Sequence, residues 1–447
     1  MLQAILGNNL IILSPGALRG RLLRLAVYHR KGRVPTGEKR VIHWFLNQPA
    51  GIVLPRGLLP RVQAIARVKV TDRRLLLPVI DFGWRSQLRP EQTEAARVVL
   101  RAGGGMVVGL PGSGKTNVGL ALAAEWRQPT LWLVHTKDLA SQALERAKSL
   151  FNLPPKAYGY IGEGEFGLGS HFVVGMIQSL AKAHPADLAD LTKRFGAVII
   201  DECHHTPAVT MARVVSAFPA YYRGGLTATP NRSDGLGPLA MDIIGGAVGT
   251  IDPAKLLKAG RIILPKVRLV PTSFKHWGRG DWAFLQKARA ADLNRNQLVC
   301  ALAAREARAG RCVLVLTELK VHARWLAAVL TQRYRVPAAA VIGPVPPAAR
   351  KRVFEAVAAG RLVMVATKLA DEGLDLPALD RLILAAPGRS APRLQQQIGR
   401  VMRTAKFKRD AIVYDLADVG VESLLDQARD RMKVYKEFDL RVERQTL

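Results

Sequence analysis

The sequence predicts an α/β protein in which two parallel-sheet units follow one another, behind a small basic N-terminal segment of α+β character. From about residue 87 onward, short apolar runs alternate with helix-length segments, which is typical of parallel sheets covered by helices on both faces. The pattern restarts after a stretch rich in glycine and proline at residues 245–265. The 447 residues suffice for two or three domains of ordinary size.

The first α/β unit is expected over residues 87–250. Its candidate strands are apolar runs, each followed by loop residues and most by a helical stretch. They are Met106–Gly109, Thr130–His135, Phe172–Gly175, Ala197–Ile200 and Gly224–Thr227. Because parallel strands need crossover connections of helix length, this alternation predicts a mostly parallel sheet.

The second α/β unit is expected over residues 251–447. The glycines and prolines that precede it predict a linker with a hinge. Its candidate strands are Cys312–Leu316, Ala338–Ile342, Leu362–Ala366, Arg381–Ala385 and Ala411–Tyr414. No short repeat or low-complexity tract interrupts either unit.

The basic charge is the largest compositional feature. Lys and Arg number 66 against 35 Asp and Glu, a formal net charge of +31, which favours a polyanionic partner such as nucleic acid. The three cysteines, Cys203, Cys300 and Cys312, form no CxxC pair, which disfavours a disulfide scaffold and a zinc ribbon. No apolar run reaches the roughly 18 residues that cross a bilayer. We therefore expect a reducing, intracellular setting and no membrane partner.

The N-terminal segment, residues 1–86, holds 15 Lys and Arg against three acids, a net charge of +12 in about a fifth of the chain. Aromatic residues lie among or just after the densest charges, at Tyr28, Trp44 and Phe45. Basic side chains suit phosphates and aromatic rings suit bases, which favours a DNA-recognition domain. The candidate phosphate contacts are Arg19, Arg21 and Arg24. The alternative is a solvated basic face whose aromatic residues belong to the core.

The strongest motif is Gly-Leu-Pro-Gly-Ser-Gly-Lys-Thr at residues 109–116. It fits the pattern GxxxxGK[ST] and lies between a predicted strand and a predicted helix, as a phosphate-binding loop requires. Glycines let backbone N–H groups turn toward phosphate oxygens, and the helix N-terminus adds partial positive charge. The residues predicted to hold a nucleotide and Mg²⁺ here are Pro111, Gly112, Ser113, Gly114, Lys115, which reaches the β- and γ-phosphates, and Thr116, which ligates the metal. The loop alone does not choose among kinase, GTPase and motor.

A second motif, Asp201-Glu202-Cys203-His204, makes that choice. It follows an apolar strand, so its carboxylates lie at the carboxyl end, where ligands gather in open α/β sheets. Asp201 is predicted to hold Mg²⁺ through water, and Glu202 to orient and deprotonate the attacking water. Cys203 is predicted to act only as a small residue.

With these two motifs in place, the sequence resembles superfamily 2 helicases over roughly residues 87–415. The matching segments are Leu88–Gln92 (adenine recognition), Leu133–Leu139 (motif Ia), Val174–Ser179 (Ic), Gly225–Pro230 (III), Val313–Thr317 (IV), Ala366–Asp375 (V) and Gln396–Arg403 (VI, QxxGRxxR). The resemblance implies two tandem RecA-like P-loop domains with parallel sheets. It also implies DNA-stimulated ATP hydrolysis, with ATP and Mg²⁺ as cofactors.

The resemblance also assigns roles to individual residues. The residues implied to contact the nucleotide are Arg89, Gln92, Gly373 and Asp375. The residues implied to contact nucleic acid are Thr136, Lys137, Gln178, Ser179, Thr317 and Thr367. The residues implied to couple the two sites are His204, Thr227 and Thr229. Gln396 is expected to contact the γ-phosphate region or His204. Arg400 and Arg403, three apart on a predicted helix, are expected to share a face and to act as arginine fingers across a domain cleft.

Details of the motifs resemble the XPB/UvsW-like branch of DNA helicases. These details are Asp-Glu-Cys-His-His at residues 201–205, the run from Gly225 to Gly235, and Leu-Pro-Arg-Gly at residues 54–57, which is similar to the leader of phage-type members. The segment near residues 271–292, with Trp277 and Trp282, matches nothing in the family. It is expected to be either a DNA-engaging insertion or simple packing.

The function expected from this resemblance is an ATP-dependent DNA helicase or translocase that remodels or branch-migrates forked and branched DNA. The expected partners are branched or forked duplex and single-stranded DNA. The protein is expected to be a monomer in the cytoplasm of a bacterial or phage-infected cell, associated with the nucleoid. An RNA helicase and the motor subunit of a restriction-type complex remain alternatives. A non-catalytic pseudohelicase is disfavoured because the catalytic set is complete.

Overall fold

The computed structural model describes residues 1–31, 39–203, 208–228, 234–276, 281–343, 347–367 and 376–444. It divides into two compact units, Met1–Pro253 and Ala254–Leu447. The basic N-terminal segment and the first α/β sheet therefore belong to one unit. Among the described residues, no helix combines the length and apolar character needed to cross a membrane.

The N-terminal segment forms a small α+β structure. Its elements are β1 (Leu2–Leu6), β2 (Leu10–Leu13), α1 (Arg19–Leu23), β3 (Val27–His29), β4 (Val41–His43), β5 (Leu46–Gln48), β6 (Gly51–Leu54), α2 (Leu59–Gln63) and β7 (Val68–Asp72). A five-stranded sheet has the order β5-β6-β2-β1-β7, and β3 pairs with β4 separately. Only the β1–β7 pair of the larger sheet is parallel. Leu10 and Ile12 alternate with more exposed neighbours along β2, so one face of the sheet is buried.

The first α/β sheet follows in the same unit. Its elements are α3 (Pro90–Ala102), β8 (Gly104–Val108), α4 (Lys115–Trp126), β9 (Thr130–Val134), α5 (Lys137–Leu150), β10 (Tyr158–Gly162), β11 (Glu165–Gly167), β12 (Phe172–Met176), α6 (Ile177–Lys182), α7 (Pro185–Thr192), β13 (Ala197–Ile200), α8 (Ala208–Ala217), β14 (Tyr222–Thr227), α9 (Gly237–Ile244) and β15 (Val248–Thr250). The strand order is β11-β10-β12-β9-β13-β14-β8-β15, and only the β10–β11 pair is antiparallel. All five predicted strands are present. The short, glycine-bearing strands β10, β11 and β15 were not predicted.

The second unit contains another parallel sheet. Its elements, after α10 (Pro253–Lys258) at the boundary, are β16 (Lys266–Pro271), α11 (Trp282–Ala291), α12 (Leu293–Arg308), β17 (Val313–Leu316), α13 (Lys320–Gln332), β18 (Ala338–Val341), α14 (Pro347–Ala358), β19 (Val363–Ala366), β20 (Arg381–Leu384), α15 (Ala391–Val401), β21 (Ile412–Ala417), α16 (Glu422–Glu437) and β22 (Val442–Arg444). The order is β18-β19-β17-β20-β21-β16-β22, parallel throughout. The predicted α/β class with two parallel sheets is confirmed.

The described residues of the segment near 271–292, which the family resemblance does not cover, include the whole of α11. Buried Arg289 on α11 and buried Arg295 on α12 both pair with Asp418, at 2.9 and 2.7 Å. Thr272 donates a hydrogen bond of 2.6 Å to the same carboxylate. Because a buried charge is stable only with such partners, these contacts fasten α11 to the sheet. Trp277 lies outside the described residues.

The N-terminal segment is joined to the first α/β sheet by a continuous core and by buried polar contacts. Leu10 and Ile52 belong to the same apolar cluster as Met211 and Ile243 of α8 and α9. Tyr28 donates a hydrogen bond of 2.8 Å to Asp242 on α9. Further contacts come from the Leu-Pro-Arg-Gly segment: buried Arg56 donates to the Ala220 carbonyl at 2.6 Å, and Gly57 lies against the Asp242 carbonyl. The segment therefore holds the two substructures together.

Candidate nucleotide site

The loop between β8 and α4 takes the shape that a phosphate-binding loop needs. Gly112 and Gly114 have φ angles of +84° and +85°, which glycine adopts without strain. Gly114 also lacks room for a side chain, since a Cβ there would lie 2.3 Å from the Gln92 amide nitrogen. Lys115 begins α4, so the N–H groups of its first turn open onto the loop.

Arg89 and Gln92, predicted to contact the nucleotide, brace the loop. The Gln92 side-chain amide donates to the Ser113 carbonyl at 3.0 Å, and the Arg89 guanidinium donates to the same carbonyl at 2.5 Å. The Arg89 backbone N–H donates to the Gln92 side-chain oxygen at 3.1 Å and so fixes the orientation of that side chain. The two residues therefore lie directly beside the phosphate-binding loop.

Lys115 joins the two main motifs. Its buried ammonium group donates to the Gly109 carbonyl at 2.9 Å and lies 3.6 Å from Glu202 Oε1. The sheet explains this meeting, because β13 and β8 flank β14 and all three strands run parallel. Their carboxyl ends therefore share one edge of the sheet, as the sequence predicted.

Asp201 and Glu202 follow β13 directly. Asp201 is buried, its backbone N–H donates to the Leu133 carbonyl at 2.9 Å, and its Oδ1 accepts from the Glu202 N–H at 2.9 Å. The pKa of Asp201 is raised to about 7, first by burial and then by the Glu202 carboxylate, while the Lys115 ammonium opposes the rise. A cation would relieve this crowding of buried negative charge. Oxygen ligands from Asp201 and half-buried Thr116 fit Mg²⁺.

Thr227 ends β14 between the two motifs and is buried. Its carbonyl accepts from the Gly109 N–H at 3.1 Å, and the preceding Leu226 carbonyl accepts from the Cys203 N–H at 2.9 Å. Motif III is thus in backbone contact with motif I and motif II.

Four residues with predicted roles lie outside the described part of the chain: His204, Thr229, Gly373 and Asp375.

The residues of the first unit predicted to contact nucleic acid lie at the ends of neighbouring strands β9 and β12. Thr136 caps α5 by accepting from the Leu139 N–H at 3.4 Å, and Gln178 donates to the His135 carbonyl at 3.0 Å. Exposed Lys137 pairs with Glu163 at 2.5 Å, a partner that the sequence had not suggested. Half-buried Ser179 follows Gln178 on α6. The structure therefore gathers these four side chains on one edge of the sheet.

In the second unit, the threonines predicted to contact nucleic acid, Thr317 of motif IV and Thr367 of motif V, are buried. Thr317 and Thr367 are 2% and 4% exposed. The Thr317 hydroxyl is hydrogen-bonded to His322 at 2.6 Å, and the other ring nitrogen of His322 meets Asn296 at 2.9 Å. This chain of hydrogen bonds occupies the Thr317 hydroxyl.

Two predictions from the sequence need correction. Arg400 and Gln396 lie on α15, but this helix ends at Val401 and does not include Arg403. The Arg403 backbone instead pairs with Ile262 in an isolated antiparallel bridge. The two arginines therefore do not share a helical face. A contact that no sequence pattern signalled holds this end, because the Lys408 ammonium donates to the Val401 and Arg403 carbonyls at 2.6 and 2.7 Å.

The second correction concerns Arg19. Its guanidinium donates to the Asn47 side chain at 2.6 Å, to the Gln48 carbonyl at 2.7 Å and to the Pro49 carbonyl at 2.9 Å. The side chain therefore holds the turn between β5 and β6 instead of standing free for phosphate. Arg21 and Arg24 are exposed and remain candidates for that contact.

Two family models match the chain. Residues 85–232 match the model described as the type III restriction enzyme, res subunit, and residues 294–405 match the helicase conserved C-terminal domain. Together they match more than half of the chain. Their order is that of the predicted motifs.

Several relatives bear helicase names, of which three are described here. A helicase of Escherichia phage T5 is 29% identical over 339 residues, covering 74% of this chain and 71% of that protein. A protein named as a DNA 3'-5' helicase, Rad25, in Halobacterium salinarum is 30% identical over 352 residues, covering 77% of this chain and 56% of that protein. A protein named as an ATP-dependent RNA helicase in Acanthamoeba polyphaga mimivirus is 27% identical over 373 residues, covering 80% and 69%.

A solved structure shares the fold. The ATP-dependent type ISP restriction-modification enzyme LlaBIII bound to DNA aligns with a TM-score of 0.59 at 14% identity, covering 79% of this chain and 30% of that one.

The phage and DNA 3'-5' helicase relatives agree with the branch that the motif details predicted. The chain therefore belongs to the superfamily 2 helicases and is an ATP hydrolase of that superfamily.

Proposed function

We propose that this helicase acts on DNA, and that it uses ATP hydrolysis to remodel or branch-migrate forked and branched duplexes. The observation that carries the proposal is the contact between the basic N-terminal segment and the first α/β sheet, which carries the proposed ATP site. The Lys31 N–H donates to the Asp234 carbonyl at 2.9 Å, and a Cβ at Gly235 would lie 2.8 Å from Lys31 Cγ. A basic segment thus touches the chain that follows motif III, which suits a DNA-recognising element that senses the ATP site.

In this proposal each group of the first unit has a role in hydrolysis. The loop glycines and the start of α4 hold the phosphates, and Lys115 binds the β- and γ-phosphates. Glu202 orients the attacking water and accepts its proton. Asp201 and Thr116 would hold Mg²⁺, which neutralises charge on the phosphate oxygens. The pair of Lys115 with Glu202, 3.6 Å apart, keeps both side chains at the site before ATP enters.

The second unit would supply the remaining positive charge. We propose that Arg400 and Arg403 stabilise charge that develops on the γ-phosphate, and that Gln396 contacts that phosphate. Arginine fingers of this kind contribute roughly 10³–10⁵ in rate. Since the two arginines reach their places by different routes, one on α15 and one on the bridge to Ile262, each is expected to be needed separately.

The first test is ATP hydrolysis measured with single-stranded, duplex and forked DNA. Each DNA is expected to stimulate hydrolysis, and the fork most. Lys115→Ala is expected to abolish turnover, because the β- and γ-phosphates lose their cation. Glu202→Gln is expected to keep ATP binding and to lose turnover. Absence of stimulation by any DNA would refute the proposal, and full turnover by Glu202→Gln would refute the assignment of the base.

The second test concerns the DNA structure. Unwinding of a fork, a Holliday junction, an R-loop and a plain duplex is compared at equal concentration. The branched substrates are expected to be processed at least several-fold faster. Equal rates on all four would leave a helicase without the proposed preference.

An RNA helicase is the second candidate, and the mimivirus relative's name favours it. Phosphate-tracking contacts do not read base identity, so the core accepts either nucleic acid. RNA that stimulates hydrolysis as strongly as DNA would favour this function.

The motor of a restriction-type complex is a further candidate, since one matching family model is named after a restriction-enzyme subunit. Copurification of a nuclease or methylase would support it.

A further inference from the structure

The hairpin of β10 and β11 ends beside the candidate nucleic-acid edge of the first α/β sheet. Its two-residue turn, Glu163 and Gly164, has φ angles of +52° and +87°, and Gly162 and Glu165 pair across it. Two positive φ angles make a turn whose twist matches that of the flanking strands, so the hairpin is well defined. Since β10 runs parallel to β12, and β12 to β9, this turn lies at the carboxyl ends of these strands, on the edge that carries the predicted nucleic-acid contacts of this unit.

The tip of this hairpin is acidic, although the chain as a whole is strongly basic. Residues 158–170 contain Glu163 and Glu165 but no Lys or Arg, whereas the whole chain has a net charge of +31. The exposed Glu163 carboxylate lies 2.5 Å from the ammonium of exposed Lys137, the first residue of α5. By accepting a hydrogen bond from this ammonium, the carboxylate raises the pKa of Lys137. A carboxylate therefore holds the cation that the resemblance implies for nucleic acid.

The backbone at Glu163 shows that this side chain is not there for the turn. A residue with a Cβ rarely adopts a positive φ, and Asn or Gly is the usual first residue of a turn of this kind. Glu163 adopts a φ of +52°, and its carboxylate reaches out of the hairpin to α5. Strained residues of this kind cluster at functional positions. The strain indicates that the carboxylate serves its contact with Lys137.

We propose that the Glu163 carboxylate stands in for a DNA phosphate at Lys137, so that DNA must displace Glu163 when it binds this edge of the sheet. Carboxylate and phosphate oxygens both accept hydrogen bonds from an ammonium group. An exposed ion pair is weak in water, so a polyanion can displace it. The competition lowers the affinity of this edge for DNA and lets Lys137 exchange between the carboxylate and successive phosphates. The inference rests on the proposed function, since it needs DNA at this edge.

The test measures binding of a labelled forked DNA to the full chain by fluorescence anisotropy, at about 0.05 M and about 0.3 M salt. Glu163→Gln is expected to tighten binding about two- to fivefold at the lower salt, the range that an exposed ion pair contributes. This gain is expected to shrink at the higher salt, because the ion pair that competes with DNA is then screened. The DNA concentration that gives half-maximal ATP hydrolysis is expected to fall by a similar factor.

A double-variant cycle separates competition for Lys137 from a general loss of negative charge. Glu163→Gln is expected to give no gain in the Lys137→Met background, since the cation that both anions share is missing there. Asp190→Asn is the matched control, because Asp190 is also an exposed carboxylate, paired with exposed Lys193 at 3.0 Å near the end of α7. This control is expected to bind DNA as the unmodified protein does.

Glu163→Asn tests whether the carboxylate instead serves the fold. Asn adopts a positive φ more readily, so the thermal midpoint is expected to equal or exceed that of the unmodified protein while DNA binding tightens. A lower midpoint, unchanged affinity of Glu163→Gln, a gain that persists in the Lys137→Met background, or an equal gain from Asp190→Asn would overturn the proposal. If the unmodified protein shows DNA-stimulated hydrolysis, these failures leave the proposed function standing; if it does not, both fall.

Discussion

At the scale of the residue, Lys408 is the clearest example of a side chain whose role depends on its neighbours. Its ammonium donates to the carbonyls of Leu379, Val401 and Arg403, at 2.5, 2.6 and 2.7 Å. Burial lowers its pKa to about 8. A half-buried cation surrounded by backbone carbonyls fixes the path of the chain that carries them. Lys408 is therefore expected to be a positioning residue for Arg403.

Lys408→Met is expected to lower kcat for ATP by about tenfold, a small part of the roughly 10³–10⁵ that an arginine finger contributes, and to leave KM nearly unchanged. Misplacement of Arg403 affects charge stabilisation in the transition state and not the binding of ATP. Steady-state hydrolysis measures both constants. Lys406→Met is the control, because Lys406 is exposed two residues away. An equal fall in kcat for both variants, or unchanged kcat for Lys408→Met, would contradict the assignment.

His322 gives the second prediction at this scale. Burial lowers its pKa to about 3, and the nearby charges of Arg295 and Arg289 act in the same direction. Because this pKa is lower in the folded than in the unfolded protein, the unfolded chain binds more protons between pH 3 and 6.5. The folded state therefore loses stability as the pH falls through 6.5. In the neutral ring, Nε2–H donates to the Asn296 side-chain oxygen, which leaves Nδ1 to accept from the Thr317 hydroxyl.

Between pH 6.5 and pH 5, protonation is expected to remove about 2 kcal/mol from the second unit. Denaturant unfolding at both pH values checks this. His322→Gln keeps polar atoms at this position but does not titrate, so its stability is expected to fall less over the same range. An equal loss in both proteins would show that other groups cause it.

At the scale of the element, the junction of α9 with the N-terminal segment shows how one glycine permits close packing. A Cβ at Gly57 would lie 2.5 Å from the Asp242 carbonyl oxygen and 3.0 Å from its carbon. Backbone atoms in a packed helix cannot yield as a flexible side chain can. The helix and the segment would have to separate.

Gly57→Ala is therefore expected to destabilise the first unit by about 1–3 kcal/mol. Thermal unfolding measures the change as a lower midpoint. Gly7→Ala is the control, because a Cβ at Gly7 meets nothing within 4 Å. A midpoint for Gly57→Ala equal to that of the Gly7 variant would refute the close packing.

Elements also show where sequence patterns succeed. The five strands predicted for each α/β unit appear within three residues of their expected bounds, because continuous apolar runs mark strands buried on both faces. The motif VI helix was expected to include Arg403, since helical spacing alone does not reveal its end. The helix stops at Val401 because the following backbone pairs with Ile262, which lies far away in the sequence.

At the scale of the whole molecule, the basic charge divides into groups with different tasks. Lys115 is proposed to bind the nucleotide and lies beside Glu202, Arg56 fastens the N-terminal segment, and Arg19 holds a turn. Arg21 and Arg24 remain exposed in the N-terminal segment. These two arginines are the better candidates for DNA contact.

The double variant Arg21→Ala, Arg24→Ala is expected to weaken DNA binding and to lower the slope of log K against log salt by about 0.9 for each lost phosphate contact. Binding titrations at several salt concentrations give this slope. The matched control replaces Arg97 and Arg101, which are exposed on α3 outside the basic segment. An unchanged slope in the first variant would make Arg21 and Arg24 ordinary solvated surface.

The sequence by itself determined the fold class and the superfamily, and it predicted the core of an ATP site at Lys115, Asp201 and Glu202. These depend on contiguous residues: a glycine-rich loop between strand and helix, and carboxylates at the end of an apolar run. Only the tertiary structure decided that Arg56 and Arg19 support the fold, and that Arg403 lies beyond the helix that carries Arg400. Each of these outcomes depends on a partner more than 25 residues away or on the packing of several elements, and no local pattern encodes such a partner.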